Sequence, residues 1–258
     1  MLQFFEDLGL GILAFFELVG GMLKLLWETL LWLFTGSPRF GLIFQQMSTL
    51  GINSVPIVML TVGFGGMVLS LELAYQAVNF GFTRWVGAGV ALSMSREFAP
   101  MLTAIVFAGR AGSAMTAELG SMKVTEQIDA LLAMATSPVK YLVIPRFLAC
   151  VTMMPLLDVF ANISGIFGGA LVANVNAGVP YNVYFDSIKS FSLMSDFTGG
   201  MIKAAVFGVE ISMIACSQGL ATRGGAAGVG LSTTASVVYS IVVIFVTNYF
   251  LSTLLFPK

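Results

Sequence analysis

The sequence contains no histidine, and only 10% of its 258 residues are charged. A soluble domain has about 25% charged residues, so this chain lacks the polar surface that water requires. The formal net charge of −1 provides no basic face for neutralising phosphates, which excludes a nucleic-acid partner. Without histidine, and with its two cysteines far apart, the chain also lacks the usual ligand sets for transition metals, so we expect no metal site.

A phosphate-binding loop is also missing. The glycine-rich run at residues 224–230 has no lysine after it and no predicted strand before it, both of which such a loop requires. We therefore expect a chain that is not an enzyme and has no cofactor of its own, with any ATP bound by a separate partner. Cys150 and Cys216 each lie inside an apolar stretch, where a small polarizable side chain packs well, and we predict no disulfide between them.

Apolar residues dominate what is present: 57% of the chain is hydrophobic, in long stretches with few charges. Each stretch is long enough to cross about 30 Å of hydrocarbon as a helix. Only helices and closed barrels satisfy every backbone group there, and these stretches do not alternate as barrel strands do. The sequence predicts an all-α integral membrane protein with five spans, at roughly residues 52–77, 85–111, 144–175, 199–220 and 236–256.

Three segments outside the spans have their own character. Residues 1–50 are apolar but interrupted by charges, which predicts membrane-embedded or interfacial helices and a linker. Residues 118–132 repeat apolar positions at three- and four-residue spacing, which predicts one short amphipathic helix between the second and third spans. Residues 176–198 are too polar for a span and predict a loop outside the membrane. The distribution of lysine and arginine places the N-terminus and the 118–132 helix in the cytoplasm and the C-terminus on the other side.

Arg96 and Glu97 lie near the middle of the second span. A charge at that depth costs about 2.5 to 3.5 kcal/mol and usually serves a function. Adjacent helical residues point about 100° apart, so we expect one side chain to pair with another helix, for example at Glu72, while the other faces a cavity. The structural alternatives are an ion pair between helices or a bend at Pro100 that lifts both charges toward water.

Three further charges lie within predicted spans. Arg110 stands among small residues that permit tight helix packing, which favours a structural role in which it reaches the headgroups. Asp158 and Glu210, together with Glu97, are the carboxylates that an ion-coupled secondary transporter would need. Such transporters often contain internal repeats, and we find none in this sequence. A scaffold that transports nothing is a third class that composition leaves open.

Residues 95–131, SREFAPMLTAIVFAGRAGSAMTAELGSMKVTEQIDAL, resemble the signature of the MlaE family of ABC-transporter permeases. Proteins of that family work with MCE proteins in lipid traffic. The resemblance continues through Pro138, Pro145-Arg146-Phe147 and the stretch from Gly165 to Gly169. The first 40 residues match only in character.

The resemblance implies a single permease domain over residues 1–258, with an N-terminal membrane-embedded helix and five spans in a bacterial inner membrane. It implies a homodimer bound to cytoplasmic ABC ATPase subunits and a periplasmic MCE-domain hexamer, with a small cytoplasmic STAS-domain protein as a further partner. Such an assembly moves phospholipid between the inner membrane and the MCE protein and serves the lipid asymmetry of the outer membrane.

The resemblance also implies two sets of site residues. Arg96 and Glu97 would lie at the lipid cavity, where the planar fork of an arginine suits a phosphodiester. Leu69, Leu73 and Tyr75 are our candidates for its apolar wall. The 118–132 helix would be the coupling helix that seats in a groove of the ATPase. Its candidate contact residues are Glu118, Leu119, Met122, Lys123, Glu126, Ile128, Asp129 and Leu131.

Overall fold

The computed structural model describes residues 19–34 and 39–256, and within these ranges the chain forms helices and no strand. Several helices include short π or 3₁₀ turns without a break in the helical path. We number the continuous helices in chain order. They are α1 (19–34), α2 (Phe40–Asn79), α3 (Thr83–Val124), α4 (Gln127–Ala133), α5 (Val139–Ala177), α6 (Tyr181–Phe191), α7 (Met194–Leu220) and α8 (Gly225–Leu255).

Five of these helices, α2, α3, α5, α7 and α8, are long and apolar enough to cross a membrane, which confirms the predicted number of spans. The helices extend beyond the predicted limits: α2 begins at Phe40 rather than near residue 52, and α8 begins at Gly225 rather than near residue 236. Hydropathy detects only the part of a helix that lies in hydrocarbon. Backbone hydrogen bonds continue into the flanking polar turns, so the helices are longer than their apolar portions.

The helix α5 is at the centre of the bundle and packs on α2 and α7. Gly66 of α2 faces Gly165 of α5 so closely that a Cβ at Gly66 would overlap the Gly165 backbone. One turn further along both helices, the Ser70 hydroxyl of α2 donates a hydrogen bond of 2.7 Å to the Gly169 carbonyl of α5. The small residues at these positions therefore allow α2 and α5 to approach each other closely.

Residues 176–198 were predicted to be a loop, and this prediction was incomplete because the segment contains the helix α6. Tyr184 of α6 is fully buried, and its hydroxyl donates to the Ile166 carbonyl at 3.3 Å. Burial raises the pKa of Tyr184 above its usual value. The Ser187 hydroxyl of α6 accepts a hydrogen bond from the Ala88 amide at 3.0 Å. The polar composition of the segment belongs to the outer face of an amphipathic helix packed on the bundle.

The predicted single helix over residues 118–132 was wrong. The helix α3 continues to Val124, and α4 is a separate helix that begins at Gln127. The chain turns between them because Glu126 adopts a left-handed conformation, with φ of 60°, which no α-helix continues through. Leu119 and Ile128, on either side of this turn, are buried in one hydrophobic cluster with Phe147.

The prediction for residues 1–50 falls partly outside the described residues, since 1–18 and 35–38 are not included. Within α1, Leu25 and Thr29 are buried, whereas Trp27 and Phe34 are 65% and 84% exposed. A helix with large exposed apolar side chains suits a membrane surface. The interfacial location of α1 remains a prediction.

Candidate functional site

A cleft of about 620 Å³ opens between α3 and α8. The α3 helix contributes its two adjacent charged residues, and α8 contributes one face of its C-terminal half. The lining residues are Arg96, Glu97, Phe245, Asn248, Tyr249, Ser252, Thr253 and Phe256.

Arg96 and Glu97 both face this cleft, although we expected adjacent residues to diverge. They lie in a π turn, Met94–Phe98, within α3. A π turn holds more residues per turn than an α turn, so neighbouring side chains diverge less. Pro100 lies four residues after Arg96 and has no backbone N–H for the Arg96 carbonyl, which instead accepts a hydrogen bond from Lys203 at 2.8 Å. The local sequence thus directs both charges to one side.

Arg96 pairs with Asp196 at the start of α7 rather than with Glu72. The Arg96 Nη2 and the Asp196 Oδ1 are 2.7 Å apart, and the Arg96 Nε donates to the same oxygen at 2.8 Å. The other Asp196 oxygen accepts from the Leu193 amide at 2.9 Å and so caps α7. Glu72 is exposed on α2. The expectation of a Glu72 partner was therefore wrong.

Glu97 is held by three side chains from two other helices. The Lys203 ammonium of α7 donates to Glu97 Oε1 at 2.9 Å. From α8, Asn248 Nδ2 and the Ser252 hydroxyl donate to Glu97 Oε2 at 2.9 and 3.0 Å. Lys203 is fully buried, and its ammonium also donates to the Ser252 hydroxyl at 2.7 Å. The charge of Glu97 is therefore compensated and fixed in place.

Arg96 keeps donors that can serve a ligand. Its side chain is 39% exposed, and its Nη1 has no hydrogen-bond partner among the residues that the structure describes. The Phe256 ring lies 4.9 Å from its guanidinium carbon. Across the cleft, Phe245 and Tyr249 are 51% and 67% exposed. One available cation beside an apolar wall suits an amphiphile with an anionic head.

The sequence did not identify the polar partners of Arg96 and Glu97, which are Asp196, Lys203, Asn248 and Ser252. Asp196 lies in the segment 176–198, which was predicted to be a loop. The available signal was that Lys203 lies inside an apolar stretch, where a cation needs a carboxylate partner. Lys203 and Glu97 are far apart in the sequence, so no short spacing indicated that they form a pair.

The structure does not bring Leu69, Leu73 and Tyr75 to this cleft. Leu69 and Leu73 are partly buried against the main hydrophobic core. Leu73 also lines a second cleft of about 330 Å³, which includes Trp85. Tyr75 is 47% exposed. A lipid-contacting role for these three residues remains a prediction.

The other intramembrane charges have separate surroundings. Arg110 donates to the Ser54 hydroxyl at 2.8 Å and so ties α3 to α2, which supports its structural interpretation. Asp158 is fully buried, and neither carboxylate oxygen has a hydrogen-bond partner among the described residues. Glu210 lies on a different helix from Asp158, and neither residue lines the cleft.

The proposed coupling residues fall into a buried group and an exposed group. Leu119 and Ile128 are 0% and 4% exposed, so they contact the protein's own interior rather than a partner groove. Met122 and Leu131 pack partly against the same cluster.

The charged coupling residues lie at the surface of the α3–α4 turn. Glu118 reaches Arg146 of α5 at 2.7 Å, and Lys123 reaches Asp129 at 2.9 Å. Glu126 is exposed. Leu132 and Met134, which are 56% and 66% exposed, are the large apolar side chains beside these charges.

Comparison with known proteins is consistent with this architecture. The family model described as Permease MlaE matches residues 43–254. A probable ABC transporter permease of Synechocystis sp. is 43% identical over 212 residues, covering 82% of this chain and 81% of that protein. A probable ABC transporter permease of Rickettsia typhi is 39% identical, covering 83% of each chain.

A plant protein is also similar. The chloroplastic protein TRIGALACTOSYLDIACYLGLYCEROL 1 of Arabidopsis thaliana is 40% identical over 212 residues, covering 82% of this chain and 61% of that protein. The family match covers most of the chain and includes every residue of the cleft except Phe256. The chain belongs to the MlaE permease family and has the sequence of an ABC-transporter permease.

Proposed function

We propose that this protein is the membrane subunit of an ATP-driven phospholipid transporter, and that the α3–α8 cleft holds the lipid headgroup. The observation that carries this proposal is the position of Arg96. Its free Nη1 group lies in a cleft whose opposite wall is an exposed apolar face of α8. Beyond membership of the family, this proposal names a class of substrate and the site that binds it.

The headgroup would be bound by the outer side of the Arg96 guanidinium. Asp196 occupies Nε and one hydrogen of Nη2, which fixes the plane of the fork. The remaining N–H groups can donate to two oxygens of a phosphodiester. Glu97 would otherwise repel the phosphate, but Lys203 neutralises it. The paired charges thus leave one directed cation for the ligand.

The acyl chains would lie along α8. This helix has the least buried span of the five, since only 17% of its most apolar stretch is buried. Phe245 and Tyr249 lie next to the cleft on its exposed face. We propose that a second copy of the chain covers this face and closes the two clefts into a shared cavity. The homodimer would then be needed to surround a whole lipid.

Energy would come from partner ATPase subunits, which ABC-transporter permeases require. We propose that they contact the exposed surface at α4 and the end of α3. The Glu118–Arg146 ion pair would pass movement from that surface to α5, the central helix. In this arrangement α4 and the N-terminus lie in the cytoplasm of a bacterium, and α6 faces a periplasmic MCE hexamer. A STAS-domain protein would join on the cytoplasmic side.

The plant relative supports a lipid substrate, since its name contains that of a galactolipid. The chemistry of the cleft narrows the proposed substrate to a lipid with an anionic phosphate, because an arginine adds little to a neutral sugar headgroup.

The test is to purify the wild-type protein and Arg96→Gln together with the ATPase and to quantify bound phospholipid by mass spectrometry. We expect Arg96→Gln to lose most of the bound phospholipid, and its transport between vesicles, while it still binds the ATPase. Arg84→Gln removes an arginine near α6 and is the matched control, which should keep both activities. Undiminished lipid binding in Arg96→Gln would refute the assignment of the cleft.

One observation favours the ion-coupled alternative: the buried carboxylate of Asp158 has no partner among the described residues. A proton carrier would need such a group. The discriminating assay is lipid transport in vesicles with a pH gradient and no ATP. Transport there that Asp158→Asn abolishes would favour ion coupling, whereas dependence on ATP with an active Asp158→Asn variant would favour the ABC mechanism.

A further inference from the structure

A second polar pocket, of about 290 Å³, lies at the α4 end of the helix bundle. It is formed where the end of α1, the first residues before α2, the α4–α5 connection and the start of α5 meet. Apart from Ala135, its side chains are two cations, three hydroxyls and an indole: Arg39, Lys140, Thr136, Ser137, Tyr141 and Trp32. No carboxylate belongs to this lining among the residues that the structure describes. The pocket is far in sequence from every residue of the α3–α8 cleft.

The two cations of this pocket lack counter-ions. Neither Arg39 nor Lys140 has a carboxylate within 4.0 Å among the residues that the structure describes. The Arg39 guanidinium instead lies 5.1 Å from the Tyr141 ring centre, and the Lys140 ammonium lies 5.4 Å from the Trp32 ring centre. Aromatic faces hold a cation in place without neutralising it. The pocket therefore presents two oriented positive charges, which a bound anion would neutralise.

An unpaired cation is not unusual in the described part of the chain, since Arg84, Arg110 and Arg223 also have no carboxylate oxygen within 4.0 Å, but this pocket brings two unpaired cations together. Arg96, Lys123, Arg146 and Lys203 each have a carboxylate oxygen within 2.9 Å. The hydroxyls of Ser137 and Tyr141 line the same space and can donate hydrogen bonds. The pocket also adjoins the first turn of α5, where unpaired N–H groups add partial positive charge. All of these groups favour one class of ligand, a phosphate or phosphodiester.

The surroundings indicate that this phosphate is attached to acyl chains. Phe34 at the end of α1 is 84% exposed, and Phe40 and Phe44 at the start of α2 are each 65% exposed. Side chains of this kind face lipid in a membrane protein, and Trp32 is typical of the headgroup level. A headgroup in the pocket would have its tails on these apolar surfaces. Basic pockets between membrane helices are a recurrent binding mode for anionic lipids.

We propose that this pocket binds the headgroup of an anionic phospholipid in the leaflet at the α4 end, as a resident lipid and not as transported cargo. The bound lipid bridges α1, α2 and the α4–α5 connection, none of which lines the α3–α8 cleft. Because it joins α1 and the start of α2 to the α4–α5 connection, its presence stiffens the segment that directly follows α4. The anionic lipid content of the leaflet then affects how firmly α4 is held.

The experiment uses Trp32 as a local reporter. The chain has three tryptophans, so Trp27→Phe and Trp85→Phe leave Trp32 alone. The protein is placed in phosphatidylcholine nanodiscs that contain a small fraction of brominated phosphatidylglycerol or brominated phosphatidylcholine. We expect the anionic lipid to quench Trp32 at about tenfold lower mole fraction than the zwitterionic one, from two basic contacts near the surface. Equal quenching by the two lipids would overturn the proposal.

Matched variants locate the effect. The double variant Arg39→Gln with Lys140→Gln should abolish the preferential quenching of Trp32 by the anionic lipid. The exchange Arg39→Lys with Lys140→Arg should retain most of this preference. Arg84→Gln with Lys189→Gln removes the same two residue types near α6 and should leave the preference intact. A preference that survives the loss of Arg39 and Lys140 would overturn the site. Circular dichroism melts verify that each variant is folded.

Two further measurements distinguish a resident lipid from free phosphate and from transported lipid as the cause of the Trp32 quenching. Millimolar inorganic phosphate should not displace the brominated lipid, because it lacks acyl chains; full displacement would show a site for free phosphate and overturn the lipid assignment. Arg96→Gln should keep the Trp32 preference, since the transport cleft is separate. Loss of the preference in Arg96→Gln would show that Trp32 reports cargo, which would also overturn the proposal.

Discussion

Glu97 and Lys203 meet with 2.9 Å between carboxylate and ammonium, although 106 positions separate them in the chain. Lys203 is fully buried and Glu97 is about one-third exposed. The pair joins α3 to α7 beside the cleft. It sets the position of the segment that also carries Arg96.

Replacing Lys203 with methionine should destabilise the protein by about 3 kcal/mol, because it leaves the Glu97 charge without its cation. Adding Glu97→Gln should recover more than half of this loss, since a neutral amide can keep hydrogen bonds to Asn248 and Ser252. Thermal unfolding in detergent of the two single variants and the double variant measures the coupling. Additive losses in the double variant would contradict the importance of this pair.

Gly66→Ala should lower stability and expression sharply, since its Cβ would overlap the Gly165 backbone where α2 meets α5. Gly63→Ala is the matched control on the same helix. A Cβ there would stand 3.6 Å from the nearest Ser164 atom, which is ordinary contact. We expect a difference of about 2 kcal/mol between the two variants, the range for an overpacked core. Equal melting temperatures would show that the helices are less tightly packed than described.

Glu118→Gln should destabilise the α3–α5 contact, because Arg146 is 3% exposed and Glu118 is its carboxylate partner. We expect a loss of about 1 to 3 kcal/mol, the range for a hydrogen bond to a charged group. Lys123→Gln breaks the exposed pair with Asp129 and should change stability by less than about 1 kcal/mol. Thermal melts of the two variants test the contrast, and a larger effect for Lys123→Gln would reverse our assignment.

Leu132→Asp should weaken capture of the partner ATPase at least tenfold without lowering the melting temperature, because Leu132 is 56% exposed. An apolar side chain at the surface beside charged residues is typical of a docking face. Ala133→Ser is the matched control. Co-purification of the ATPase with each variant provides the readout, and full binding by Leu132→Asp would place the contact elsewhere.

The five spans could be predicted because hydropathy is a property of consecutive residues. The same reasoning failed for α6, whose outward polar side chains resemble those of a loop. It also failed at the α3–α4 turn, since helical periodicity continues through Glu126 and nothing in the sequence indicates the left-handed backbone there.

The cleft could be predicted only in part. Arg96 and Glu97 were identified because a charged residue within an apolar stretch can be recognised from the sequence alone. Their partners Asp196 and Lys203 were not, because ion pairs between helices depend on how the helices are arranged. The family resemblance led us to expect a lipid cavity, but it did not indicate that Phe245 and Tyr249 form its wall.

The π turn at Met94–Phe98 makes the cleft sensitive to chain length as well as to side-chain identity. A π turn contains one residue more than an α turn. Deleting one residue there would restore regular α geometry and leave the two halves of α3 in their present relative orientation, because the π turn absorbs one extra residue. Gly87 and Met115, on opposite sides of the turn, would still both face the interior. Such a deletion would therefore redirect Arg96 and Glu97 without changing how the rest of α3 packs.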